Sequence, residues 1–299
     1  MILYAPSYYK TFKCIAERCE HSCCIGWEID IDGGALEKYA ALKSGYGAAI
    51  AESISMEDTP HFKLLAHDRC PHLDERGLCR IITHMGEDYL CEICREHPRF
   101  YNDTDVAEVG IGMACMEAAR IILASSDYAE MEKIGSVSRE ADCLGAYGRI
   151  ERGRIYEILR NTESDYATRL DQIYRTYGIA VGEDRRYLEI LSAQEYLDDD
   201  HKTMFMTYSS ARRPEGKDEY LERFLAYLIY RHCTEAVDAE DFGTRLAFCL
   251  FCERLLASLI DTEGAESLQD VATLARTVSE EIEYSEDNTW ALMNEGKER

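Results

Sequence analysis

The chain is short of positive charge: 33 Lys and Arg face 57 Asp and Glu, a formal net charge of -24 over 299 residues. Such a field repels nucleic-acid backbones and anionic membrane surfaces at long range, so neither is an expected partner. A lysine-bearing protein meets no such barrier. A membrane-length apolar run is also missing, because the longest one, Leu246 to Ile260, is too short to span a bilayer and contains Glu253 and Arg254. Met1 to Lys10 shows no basic stretch followed by an apolar one, so no secretory signal is read there and a cytoplasmic location is expected. Tandem repeats and low-complexity runs are absent. A dinucleotide-type Gly-X-Gly-X-X-Gly is absent as well, since Gly110-Ile-Gly112 lacks the third glycine, which leaves an ordinary Rossmann cofactor site without support. The common radical-enzyme spacing Cys-X-X-X-Cys-X-X-Cys fails too: Gly26 stands where a third cysteine would follow Cys19 and Cys23.

What the chain has in excess is cysteine. Nine of its 13 cysteines fall between Cys14 and Cys115, in close groups interrupted by Gly, Pro and Asp turns. That pattern means disulfides or thiolate ligands. In a reducing compartment thiols stay unbridged unless a metal holds them, and an odd total excludes complete pairing within the chain, so ligation is the favoured reading. Soft thiolates without interleaved histidine select zinc or an iron–sulfur cluster over calcium, magnesium or manganese. Cys14, Cys19, Cys23, Cys24, Cys70, Cys79, Cys94 and Cys115 make eight thiols, enough for two four-coordinate centres or for one cluster with further structural thiols. Adjacent Cys23 and Cys24 cannot both point one way along an extended chain, so one of them is expected to reach elsewhere or to pack. His61, His67, His72 and His84 lie nearby and read as surface or supporting residues. Cys249 and Cys252, i and i+3 on an apolar helix, read as small buried hydrophobes, and Cys143 and Cys233 have no partner spacing. Glu117 and Arg120 suit either an orienting pair or a surface ion pair. Asp198-Asp199-Asp200 reads as a solvated turn or helix end.

The expected fold is mainly α, with a cysteine-rich metal-cluster region carrying short strands over residues 1–125 and an α-helical region over 126–299, the two able to form one compact unit. Residues 1–26 show little periodicity and read as irregular. Trp27 to Asp32 alternates apolar and acidic residues like a half-buried strand, and a helix is expected from Ala35 to Lys43. Phe62 to Arg80 reads as a hairpin whose turn, Leu73 to Leu78, has Gly77 where a positive φ is needed and Cys70 and Cys79 on opposite arms. A helix from Ala114 to Leu123 would place Cys115 in its first turn, where the helix dipole favours a thiolate. Apolar residues at three- and four-residue spacing then mark helices around Ile155–Leu159, Leu170–Tyr174 with Gly178 as the stop, Tyr220–Ile229, Leu246–Ile260 and Leu268–Ile282, the last with a restart or cap at Ser279. Tyr208 to Asp218 is the clearest loop of this half.

Four motifs carry a resemblance. They are Phe12-X-Cys14-Ile-X-X-X-Cys19-Glu-X-Ser-Cys23-Cys24-Ile-Gly26-Trp27, then Cys70-X-X-Leu-X-X-X-Gly77-Leu78-Cys79-X-Ile, then Cys94-Arg-X-X-Pro98-Arg99, and Cys115-Met-Glu117-Ala-Ala-Arg120. Together they resemble the flagellin lysine-N-methylase family, whose cysteine pattern is similar to that of a wider group of zinc- or iron-cluster proteins. The motifs cover residues 12–120, with weaker similarity at Tyr156 to Leu170 and at Ile282 to Ser285. The resemblance implies an enzyme that methylates lysine ε-amines of flagellin with S-adenosylmethionine and holds a four-iron, four-sulfur cluster, with zinc as the alternative. By motif position the implied ligands are Cys14, Cys19, Cys23, Cys24, Cys70, Cys79, Cys94 and Cys115. Cys91 lies outside the pattern and reads as a packed or free thiol, with ligation left open, and His97 stands where an aromatic residue is usual. Amine attack on a sulfonium methyl is polar chemistry that requires a neutral, in-line amine and no redox step. The cluster is therefore expected to build or position the site. No catalytic or cofactor-binding residue follows from the sequence, and a non-catalytic zinc or iron–sulfur module is the competing reading.

Overall fold

The computed structural model describes residues 1–138, 145–180, 184–209 and 213–294. Its strands are β1 (Ile2–Pro6), β2 (Ile54–Ser55), β3 (His61–Phe62), β4 (Arg99–Asp103), β5 (Ala107–Ile111) and β6 (Met131–Ser136). The helices are α1 (Gly33–Ala41), α2 (Gly45–Glu52), α3 (Arg80–Met85), α4 (Glu92–Glu96), α5 (Met116–Ala124), α6 (Tyr147–Leu159), α7 (Tyr166–Tyr177), α8 (Asp184–Ala193), α9 (Asp199–Phe205), α10 (Asp218–His232), α11 (Ala239–Thr262), α12 (Leu268–Val278) and α13 (Glu286–Met293), with a π-helical turn at Ser279–Glu283. The fold is mainly α. Its contacts divide into two units: residues 13–99, and residues 1–12 together with 100–299.

The larger unit is built around α11. Its apolar run has no polar face to leave in water, so Phe248, Leu250, Phe251, Leu255, Leu256 and Leu259 are all fully buried, each contributing about 1.5–3 kcal/mol of transfer free energy. Helix α10 packs along α11, and α5 packs against α12. The stripes read from sequence appear where spacing put them. Gly178 ends α7 in the left-handed conformation at φ 64°, and Ser267 opens α12 with a capping box to Asp270. The expected restart at Ser279 is instead the π turn, which directs Glu280, Glu281 and Glu283 into the protein. Cys143 and part of the Tyr208–Asp218 loop lie outside the described residues.

Residues 1–26 are not all irregular. β1 runs through the middle of a four-stranded sheet of order β4-β5-β1-β6, parallel to β5 and antiparallel to β6. Every residue of β5 is buried, and its Glu108 is matched by Arg152 of α6, Nη1 to Oε2 at 2.6 Å and Nη2 to Oε1 at 2.8 Å.

The smaller unit has short elements and a core of Ile29, Ile31, Ala35, Tyr39, Ile50, Phe62, Leu73, Ile81, Cys70 and Cys91. The alternation at Trp27 to Asp32 does bury Ile29 and Ile31, but the segment forms only an isolated bridge, Asp30 pairing with His61. Asp32 starts two helices at once. Its Oδ1 accepts from the Ala35 N–H of α1 at 2.9 Å and its Oδ2 from the Glu92 N–H of α4 at 2.7 Å.

A candidate thiolate site

Four stretches of the smaller unit deliver cysteines to one neighbourhood. The Cys24 carbonyl accepts from the Cys70 N–H at 2.9 Å, and Gly26, at φ 101°, donates to the Asp68 carbonyl at 3.1 Å, so the segments around Cys24 and Cys70 lie side by side. From Cys70 the chain makes the expected turn. Leu73 bridges Cys79, and the Asp74 carboxylate accepts from the N–H groups of Arg76 at 2.8 Å and Leu78 at 2.9 Å, with Gly77 at φ 79°. Cys79 and Cys91 occupy the N-cap positions of α3 and α4, and Cys94 follows on α4. Tyr39 pins the approach to α4 by donating to the Tyr89 carbonyl at 2.5 Å.

The ionisation of each thiol registers the others. Burial pushes the Cys70 thiol up to about 12, with Cys24, Cys79 and Cys91 adding to the rise. Burial also raises Cys79 against the pull of the Ile82 and Ile81 N–H groups, and Cys24 and Cys91 raise it further. A hydrogen bond from Cys23 draws Cys24 down to about 7 in spite of its burial, with Ser22 and Arg69 assisting. Cys91 and Cys94 share a hydrogen bond that lowers the first and raises the second. Cys24, Cys79 and Cys94 pack against the core that contains Cys70 and Cys91, so five thiols share one neighbourhood, and one of them, Cys91, comes from outside the sequence motif set. No disulfide joins the described cysteines.

The remaining motif cysteines are placed differently. Cys14 is exposed, Cys19 directs its thiol to the His21 carbonyl at 2.7 Å, and the Cys23 carbonyl accepts from the Trp27 indole at 2.9 Å. Cys115 belongs to the larger unit, at the N-cap of α5. Among the described residues, no group of three or more His, Cys, Asp or Glu side chains is set to hold a metal ion. The donor chemistry is still that of a soft site, because the grouped side chains are all thiols. Buried His72 is held between the Tyr46 hydroxyl at Nδ1 (2.7 Å) and the Ser53 hydroxyl at Nε2 (2.9 Å), and burial pushes its pKa down to about 4. His84 stacks on Tyr46, and His61 faces the Thr59 carbonyl and Glu28. Glu117 and Arg120 form an i, i+3 ion pair at 2.7 Å.

Two groupings had no signal in residue spacing. Cys233 and Cys249, 16 positions apart, bring their sulfurs to 3.8 Å between α10 and α11. Glu283 is buried between the His232 Nε2 at 2.8 Å and the Tyr227 hydroxyl at 3.1 Å, with Arg231 Nε at 3.4 Å. Carboxylates in the sequence read as surface, and only the folded chain shows them inside.

The chain is helix-dominated and its small unit gathers thiols; comparison with known proteins gives the family. The chain is 30% identical over 162 residues to the flagellar biosynthetic protein FliU of Salmonella muenchen, an alignment covering 51% of this chain and 94% of that protein. It is also 30% identical over 131 residues to proteins named lysine-N-methylase from Salmonella typhimurium and Salmonella choleraesuis, covering 41% of this chain. The chain belongs to this family. It spans 32% of the length of the two lysine-N-methylases. No protein-family model matches it, and no solved structure is significantly similar.

Proposed function

We propose that the chain is a protein-lysine N-methyltransferase that transfers the methyl group of S-adenosylmethionine to lysine ε-amines of flagellin. The observation that carries the reading is kinship with proteins named lysine-N-methylase, joined to the flagellar role in the name of FliU. The strongly acidic chain suits a lysine-bearing substrate. In a displacement of this kind the protein must hold a neutral amine in line with the departing sulfur. A cytoplasmic location fits a substrate met before export, and among the described residues no helix is long and apolar enough to cross a membrane.

A four-iron, four-sulfur cluster, with zinc as the alternative, is part of the proposal. Cys24, Cys70, Cys79, Cys91 and Cys94 are the residues that would hold it, with Cys14, Cys19, Cys23 and Cys115 as further candidates from the motifs. When bound, such a centre would tie four chain segments of a unit whose own core is small. Protein purified without oxygen should be brown and carry iron. Incubation with methyl-labelled S-adenosylmethionine and flagellin should label lysine, and unlabelled lysine overturns the enzyme reading.

One observation favours a second reading. The chain accounts for nearly all of FliU, whose name states no reaction, and for a third of the named methylases. A non-catalytic metal-bound module would then contain zinc or iron and leave flagellin unlabelled.

A further inference from the structure

The larger unit contains a cavity of about 380 Å³ that none of the thiols line. That volume lies within the range of small-molecule sites, about 300–1,000 Å³. Its shape comes from missing side chains. Gly243 faces it from the second turn of α11, where an added Cβ would meet nothing within 4 Å, and Ala247 continues the same face one turn on. Glycine inside a helix costs about 1 kcal/mol relative to alanine, so α11 gives up stability at the point where the space opens.

The walls have a definite chemistry. Tyr177 supplies a half-buried ring, and Tyr187, stacked on Phe251 at 4.5 Å between centroids, also lines the space. Two helices end at the cavity: α7 at Gly178 and α13 at Asn294. Helix C-termini present carbonyls left without intrahelical donors and carry partial negative charge, and aromatic faces attract cations by their quadrupole. The cationic residue on the wall, Arg254, is already matched, its Nε donating to Asp184 Oδ1 at 2.8 Å and its Nη1 to the Tyr174 hydroxyl. Its charge is therefore compensated, and the balance of the site favours a positive ligand.

We infer that this cavity between α7, α11 and α13 binds a flat organic cation of nucleoside size. Resting on the methyl-transfer reading, that cation is the sulfonium cofactor S-adenosylmethionine. The Gly243 face then accommodates the ring system, and the two helix ends meet the positive groups.

Calorimetric titration of the full chain with S-adenosylmethionine, and with uncharged-sulfur S-adenosylhomocysteine, tests this. The wild type should bind the sulfonium form more tightly. Gly243→Leu should weaken that binding by about tenfold or more, a loss of about 1.4 kcal/mol, with an unchanged or raised melting temperature because leucine is the better helix former. Ala247→Leu serves if the first variant unfolds. Absence of binding to the wild type, or binding to a folded variant within about twofold of wild type, overturns the assignment. Methyl transfer to flagellin measured on the same samples separates the two readings: activity equal in wild type and Gly243→Leu places the cofactor elsewhere and leaves the enzyme reading standing.

Discussion

Asp32 joins the starts of two helices, and removing its carboxylate should loosen both. In Asp32→Ala the Ala35 N–H of α1 and the Glu92 N–H of α4 each lose an acceptor now at 2.9 and 2.7 Å. An N-cap of this kind contributes about 1 kcal/mol, so two come to about 2 kcal/mol, roughly a 30-fold rise in local opening. Hydrogen exchange followed by mass spectrometry on the full chain should show faster exchange in peptides covering 33–41 and 92–96 together. Asp32→Asn keeps one acceptor oxygen and should loosen one of the two helices. The carboxyl is held below its ordinary value: slight burial raises it, and the Glu92 and Ala35 N–H groups overrule that. A depressed carboxyl stabilises above its unfolded pKa, about 3.9, so the bridge should persist at neutral pH and fail as pH falls through the lower folded value. Since Cys91 and Cys94 ride on α4, the proposed cluster would lose the anchorage of two of its holders, and any iron bound by the wild type should drop with the same variant. Faster exchange in α1 alone, with 92–96 unchanged, refutes the bridging role.

Three further outcomes are expected. Glu108→Ala leaves the Arg152 guanidinium buried without its carboxylate, which should cost about 3–5 kcal/mol, and the double variant with Arg152→Met should recover much of it; a loss under about 1 kcal/mol by denaturant titration contradicts this. Gly148→Ala would ordinarily favour a helix by about 1 kcal/mol, but its Cβ would meet the Cys233 and Thr234 carbonyls at 2.2 and 2.5 Å, so a net destabilisation of about 1–3 kcal/mol should appear. His201 is raised by its hydrogen bond to Glu281 at 2.6 Å, against burial, with Asp198 raising it further and Arg276 opposing. Its stabilisation is complete below about 6.5 and is lost as pH rises through the folded value. Glu281→Gln should lower the His201 pKa in an NMR titration, and an unmoved value would exclude the pair.

The helices were legible because their signal is local. Leu170, Ile173 and Gly178 lie within one element, as do Leu246 to Ile260, and three- and four-residue spacing exposes them directly. β1 was not, since Ile2 to Pro6 gains its meaning from β5 and β6, whose partner residues lie from Ala107 onward. The turn between Cys70 and Cys79 could be read from Gly77 and the polar residues around it. Cys91 could not be assigned to the thiol neighbourhood from spacing, because its place depends on Asp32, far off in the chain, fixing the start of α4. The contact of Cys233 with Cys249 and the burial of Glu108, Glu253 and Glu283 likewise depend on distant elements meeting, which single-residue chemistry does not encode.

The insertion of residues 13–99 between the first strand and the rest of its sheet has a consequence for biosynthesis. During translation the segment bearing Cys24 to Cys94 emerges whole before either sheet neighbour of β1, since β5 starts at Ala107 and β6 at Met131. Long-range strand pairing is slow even once its partners exist, and domains form as units while the chain is still growing. The nascent chain therefore has the whole thiol-bearing segment in hand while β1 still waits unpaired, and the order of synthesis itself separates folding of the smaller unit from closure of the larger core.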